Sequence, residues 1–191
     1  DQQRGQQIKE LAVITLSGAD VELSSSYPAV IKGKQDIEIR PQVSGFITRL
    51  AVDEGSVVKK GQTLFIIDPV QYEEAANAAR ASVQVAKANV ATAELTAQNK
   101  RELAKNNIIG AYELQMAENS LLSSKAVLAQ ANAQLISAEK NLSYTRVSSP
   151  SDGVVGSIPF RVGSLVSPSI ATPLTTVSDI SEMYAYFSMT E

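Results

Sequence analysis

Side-chain chemistry usually begins with a nucleophile, a base that titrates near neutrality or a metal ligand, and this 191-residue chain has neither histidine nor cysteine. Without His there is no imidazole base, no imidazole ligand and no His-based triad. Without Cys there is no disulfide frame and no thiolate site. Carboxylates and lysines remain, and these act as catalysts only where a pocket perturbs them. Asp152 and Asp179 flank strand-like runs, a position where isolated aspartates ordinarily cap backbone. Lys59 and Lys60 precede Gly61 in a turn and read as a solvated face. The run Gly153-Val154-Val155-Gly156 is not a phosphate loop, because no Lys-Ser/Thr follows at the required spacing. No catalytic residue, cofactor site or metal site is therefore expected. The net charge of -3 lacks the footprint of a nucleic-acid binder.

The most regular spacing in the chain is apolar. Tyr72, Ala76, Ala79, Val83, Ala86, Val90, Ala93, Ala97, Lys100 and Ala104 fall at alternating steps of four and three, and Glu73, Arg80, Lys87, Glu94 and Arg101 lie off that line. Leu114, Ala117, Leu121, Ser124, Leu128, Ala131, Leu135, Ala138 and Leu142 repeat the pattern. Such spacing is the seam of a coiled coil. The short link Asn106-Asn107-Ile108-Ile109-Gly110 makes the two helices antiparallel. Small Ala on both seams lets the axes approach to about 8 Å. A rod of this length, roughly 54 Å at 1.5 Å per residue, is a probe or spacer rather than a core. Asp68 is placed to cap the first helix, with Pro69 at its first position and Gln71 at capping-box spacing. Asn106 or Asn107 can take the left-handed conformation that closes it. Gly110 stands at the cap of the second helix, with Glu113 three residues on.

The flanks of the rod read as β-structure. Before it come short β-favouring pieces at 11–14, 21–23 and 27–31, then Ile37-Glu38-Ile39-Arg40, and then strands broken by Gly45, Gly55 and Gly61 and ending in Leu64-Phe65-Ile66-Ile67. After the rod the piece is replayed. The Gly45-to-Gly55 spacing of ten recurs from Gly153 to Gly163; Val57-Val58 is echoed by Leu165-Val166, and the run from Leu64 by the run from Leu174. The economical reading is one β-sandwich of two similar halves, with the helical hairpin sprouting between them. A last alternating piece, residues 183–189, is expected to pair with the region 8–31; as a strand with no later partner it reads as a truncated barrel. No apolar run approaches the ~18 residues of a membrane span. The chain starts at Asp1, so a signal peptide or lipidated segment ahead of it is conceivable.

Two half-motifs carry a resemblance. Residues 39–47, 54–64 and 67–69 are similar to the first half of a biotinyl/lipoyl-like domain, in the form found in periplasmic adaptor subunits, or membrane fusion proteins, of resistance–nodulation–division efflux pumps. Residues 142–156 resemble the second half, and the last residues resemble the strand that enters the family's β-barrel. The resemblance implies an α+β chain: a long antiparallel coiled-coil hairpin (69–142) inserted between two halves of a lipoyl/biotinyl-like β-sandwich (34–68 and 143–179), with partial β-barrel strands at 1–33 and 180–191. It also implies a non-catalytic periplasmic adaptor in a Gram-negative bacterium, associated with the inner membrane and anchored there through an N-terminal lipid or segment. Its partners would be an inner-membrane efflux transporter, an outer-membrane channel and further copies of itself in a hexameric ring. The alternatives are an adaptor of an ABC-type or other exporter and a free-standing coiled-coil scaffold. A biotinyl or lipoyl carrier is disfavoured, since the turn that would present its Lys is where Asp68-Pro69 launches the rod.

The family's tip motif of Arg, Leu four residues on and Ser seven further aligns here with Asn99, Leu103 and Gly110, so only Leu103 is kept. Arg101 lies two residues away, about 200° round the helix, and cannot substitute. The residues expected to meet the channel are Asn99, Leu103, Ile108, Ile109, Gly110 and Glu113. Ile108 and Ile109 are more apolar than a solvated turn requires; the alternative is that they tuck over the helix ends as a plug.

Overall fold

The computed structural model describes residues 28–187 together with positions 18 and 26, so the pieces expected at 11–14 and 21–23 lie outside the described residues. The elements run β1 (Ala29–Ile39), β2 (Gly45–Leu50), β3 (Val57–Val58), β4 (Thr63–Ile67), α1 (Val70–Lys105), α2 (Ala111–Tyr144), β5 (Arg146–Ser148), β6 (Gly153–Val155), β7 (Leu165–Val166) and β8 (Thr175–Phe187). This is an α+β fold with a helical hairpin set into a sandwich. One four-stranded sheet has the order β1-β8-β6-β3 and the other β5-β4-β2-β7. Each sheet mixes strands from before and after the hairpin, so neither half can bury its apolar face without the other.

The internal repeat is written into the strand registers. Gly45 stands opposite Val166 and Phe46 opposite Leu165; in the mirrored ladder Gly153 stands opposite Val58 and Val154 opposite Val57. Ile47 faces Ile67 as Val155 faces Val177. The turns repeat too: Gly55 and Gly163 both have positive φ, 79° and 90°, and their N–H groups donate to Val155 and Ile47 respectively. The two halves are thus related by an approximate two-fold, with equivalent residues donating across it. Glycine opens both repeat strands for a reason of space. A Cβ on Gly153 would lie 2.5 Å from the Ser178 carbonyl oxygen, and one on Gly45 would lie 2.6 Å from Ile67 Cγ2.

Burial places the core of the molecule here. Ile39, Val43, Ile47, Val58, Leu64, Phe65, Ile67, Val147, Val155, Ile158, Val166, Leu174 and Val177 form one cluster. Tyr72 from the start of α1 and Tyr144 from the end of α2 pack against it. The Tyr72 hydroxyl donates to the Ser44 carbonyl at 2.6 Å, so the rod is rooted in the sandwich by an aromatic on each helix.

The strand β8 pairs with β1 along its length, from Thr175 opposite Ile39 to Phe187 opposite Ala29, with an irregularity between Gly33 and Gln35. The expected pairing of the last piece with the region 8–31 is seen for Ala29, Val30 and Ile31, opposite Phe187, Tyr186 and Ala185, and continues to Gly33; most of the rest of that region lies outside the described residues. Both strands continue past residues 34 and 179 with the ladder irregular just there, whereas hydrophobic spacing alone suggested separate short pieces.

In the rod, every residue of both expected seams is buried or half-buried. Val83, Ala86 and Ala131 form one small cluster, and Ala97, Ala117 and Leu121 another. Helix α1 has 36 residues and α2 has 34. The cap at Asp68 is present as a hydrogen bond, since Asp68 Oδ1 accepts from the Val70 N–H at 3.1 Å, although by backbone bonding the helix starts at Val70 rather than at Pro69. Gln71 does not complete a capping box, because the Asp68 N–H already donates to the Phe46 carbonyl at 2.9 Å. Helix α2 runs two residues past the expected end, to Tyr144, where Thr145 closes it by donating both its N–H and its hydroxyl to the Leu142 carbonyl. Continuing to Tyr144 lets that ring reach the sandwich core.

Candidate partner-docking surface of the hairpin

The link between the helices is a compact, fully bonded turn. Asn107 has φ 55°, its N–H donates to the Ala104 carbonyl at 2.9 Å, and the Ile108 N–H donates to the Leu103 carbonyl at 3.0 Å. This pair of bonds, closing on the second and third residues from the end, is the Schellman arrangement. Of the two asparagines considered for the left-handed position, Asn107 takes it; Asn106 instead donates from Nδ2 to the Glu102 carbonyl at 2.9 Å. Gly110 opens α2 in an extended conformation, φ -76° and ψ 160°, with no side chain to cap the helix.

The charges around this end are consumed within the rod. Lys100 Nζ meets Glu113 at 3.0 Å, Arg101 Nε meets Glu118 at 3.0 Å, and Lys105 Nζ meets Glu102 at 2.7 Å. Glu113 therefore serves neither as the partner half of a capping box nor as a free carboxylate. Lys100, the one charged residue on the seam, is half-buried there and needs that counterion. Arg101 is tied to α2, which adds a second reason that it cannot stand in for the Arg missing at Asn99.

The expected tip residues separate by exposure. Asn99, Gly110 and Glu113 are exposed, Leu103 and Ile109 are half-buried, and Ile108 is 66% exposed. The plug alternative thus describes Ile109 and not Ile108. Two further residues extend the apolar surface: Tyr112, 77% exposed, and Met116, 53% exposed, one turn apart on α2. They were not among the expected contacts, although their signal was in the sequence, as an aromatic and a Met at spacing four off the Leu114/Ala117 seam. Among the described residues no group of Asp and Glu side chains is arranged to hold a metal ion, and no helix is long and apolar enough to cross a membrane.

Residues 35–178 match the family described as RND MFP, barrel-sandwich hybrid domain. The chain belongs to this membrane fusion protein family. It is 31% identical over 183 residues to the multidrug efflux pump subunit AcrA of Escherichia coli K12, covering 96% of this chain and 46% of AcrA. It is 33% identical over 178 residues to the multidrug resistance protein MexA of Pseudomonas aeruginosa, covering 93% of this chain and 43% of MexA. This membrane fusion protein chain therefore spans less than half the length of those relatives. Among solved structures, MacA from Actinobacillus actinomycetemcomitans superposes with a TM-score of 0.63 at 29% identity, over 84% of this chain and 56% of that one. The membrane fusion protein Spr0693 of Streptococcus pneumoniae, at 20% identity and a TM-score of 0.65 over 82% of this chain and 67% of that one, shares the fold.

Proposed function

We propose that this chain is the sandwich-and-hairpin portion of a periplasmic adaptor, which joins an inner-membrane efflux transporter to an outer-membrane channel and exports drugs without catalysis of its own. The family membership supports the class. The observation that carries the docking role is the exposed apolar side chains of Ile108, Tyr112 and Met116 at the end of a rod whose seam is buried or half-buried and whose tip cations Lys100, Arg101 and Lys105 are paired within it. A spacer needs no such surface, and a cluster of this kind desolvates readily against a partner. Asn99 and Gly110 supply neither the cation nor the hydroxyl of the family's tip pattern, so the channel face opposite them is expected to be less acidic and more apolar. In the assembled pump the adaptor would stand as a hexameric ring at the periplasmic side of the inner membrane.

The test is drug export by a strain that depends on the longer protein. Ile108→Asp and Tyr112→Asp change exposed side chains, so melting temperature and secretion are expected to stay unchanged while export is lost. Asn99→Ala should do much less. Full export by both acidic variants would contradict the docking role and leave the rod a spacer.

A further inference from the structure

The two sides of the rod differ. On one side the helices are tied by charges spaced two heptads and then one heptad apart: Arg80 meets Glu139 at 2.8 Å, Glu94 meets Lys125 at 3.8 Å, and Arg101 meets Glu118 at 3.0 Å. Two residues on from Arg80, Glu94, Glu118 and Lys125 stand Ser82, Thr96, Ser120 and Val127, about 200° round their helices. These line the other side, where a groove of about 450 Å³ around Val85, Asn89 and Val127 continues into one of about 380 Å³ around Asn89, Thr96 and Ser120. No charged side chain lines either stretch.

A second apolar heptad line lies on α2, away from the seam. Leu122, Ala126, Ala129, Ala133 and Ile136 alternate steps of four and three, and all are exposed, Leu122 and Ile136 each by 68%. A helix in a two-helix rod needs one seam, and a second one calls for another helix. The groove on this rod can receive such a helix, being uncharged and walled mostly by Ala, Ser and Thr, with Val85, Val127, Asn89, Gln130 and Gln134 among them.

We infer that copies of this chain pack side by side through two unlike faces, the Leu122–Ile136 line of one rod entering the uncharged groove of the next. The occupant is a second copy for two reasons. The groove carries no charge, its stretch around Val85 and Val127 is walled by Ala and Val as well as Asn and Gln, and it would strand a charged surface without counterions. The line and the groove also lie at the same level of the rod: the groove is walled on α2 by residues from Ala117 to Gln134, and the line spans 122–136. Copies related by rotation about an axis along the rod are not shifted along it, so matched levels are what a closed ring requires. A contact between unlike faces is head-to-tail, the kind that closes into rings. The inference rests on the adaptor reading only in taking the rods to stand parallel, and it supplies the contact that reading leaves unassigned.

The absence of cysteine makes the test clean. Asn89→Cys marks the groove, Ala129→Cys the line and Lys87→Cys the charged side; all three positions are exposed. Equal mixtures of single-cysteine chains, at the highest soluble concentration and in high salt, are treated with a short bismaleimide after circular dichroism has shown unchanged helicity. The Asn89→Cys with Ala129→Cys product should exceed either like-with-like product several-fold, beyond the twofold excess of random encounter. It should also exceed the Lys87→Cys with Ala129→Cys product several-fold. Random proportions, a dominant Ala129→Cys homodimer, an equal yield with Lys87→Cys or no cross-linking at all would each overturn the inference. Export by tip variants reads the docking role separately, so failure of one leaves the other standing.

Discussion

Phe65 is wholly buried in a cluster to which residues from before and after the hairpin both contribute, whereas Leu121 lies in a small cluster shared only with the facing helix and its own. The first environment is made by distant parts of the chain and the second by neighbours across one seam. A sandwich whose halves interleave in both sheets should therefore unfold as a unit. A rod whose contacts repeat turn by turn should lose stability locally and in small steps. The difference also separates tasks: the sandwich fixes where the rod is rooted, and the rod's exposed faces remain free to differ from one another.

The comparison is broken most directly by deleting one large side chain from each region. Phe65→Ala should cost about 3–5 kcal/mol, enough to lower or abolish the cooperative thermal transition of the sandwich. Leu121→Ala should cost about 2 kcal/mol, at the low end of core deletions because a thin rod collapses readily around the gap. Its loss should appear as local hydrogen-exchange deprotection in the rod, with the sandwich transition unmoved. Equal effects of the two on that transition would mean that rod and sandwich are one cooperative unit.

Within the sandwich, the approximate two-fold predicts a further pair. Gly153→Ala puts a methyl against the Ser178 backbone, and Gly45→Ala puts one against the Ile67 side chain. Each should cost about 1–3 kcal/mol by overpacking, the backbone contact more than the side-chain contact. Denaturant midpoints rank them. The smallest expected effect is a gain. Thr175 is buried, its hydroxyl has no hydrogen-bond partner, and it occupies the place that Phe65 holds in the other half. Thr175→Val should raise stability by about 1 kcal/mol, since an unsatisfied buried hydroxyl is removed with little change of shape.

The sequence displayed the seam completely because heptad spacing is a local signal and Ala marks close approach unambiguously. The two halves were legible through Gly45/Gly153 and Gly55/Gly163, where close contact or positive φ leaves little choice of residue. Strand length was not: β1 and β8 look like broken pieces in hydropathy because much of their ribbon, including Ile31 and Tyr186, is exposed on both faces. The capping boxes misled for a shared reason. Gln71 and Glu113 had the right spacing, but Asp68 N–H was taken by Phe46 and Glu113 by Lys100, and both competing partners come from elsewhere in the chain. At the tip, Leu103 and Ile108 were legible as apolar residues near a turn. Tyr112 and Met116 lie off the seam, where heptad spacing carries no signal, and their exposure in the fold marks them.

The division of labour between sandwich and rod is tested most directly by excising the rod from the longer protein. Residues 70–144 are replaced by a short Gly/Ser turn joining β4 to β5, and folding and drug export are read on the same variant. The predicted result is a secreted protein whose β-sandwich still melts cooperatively while export is lost. A sandwich that fails to fold without its rod, or export that survives the excision, would contradict it.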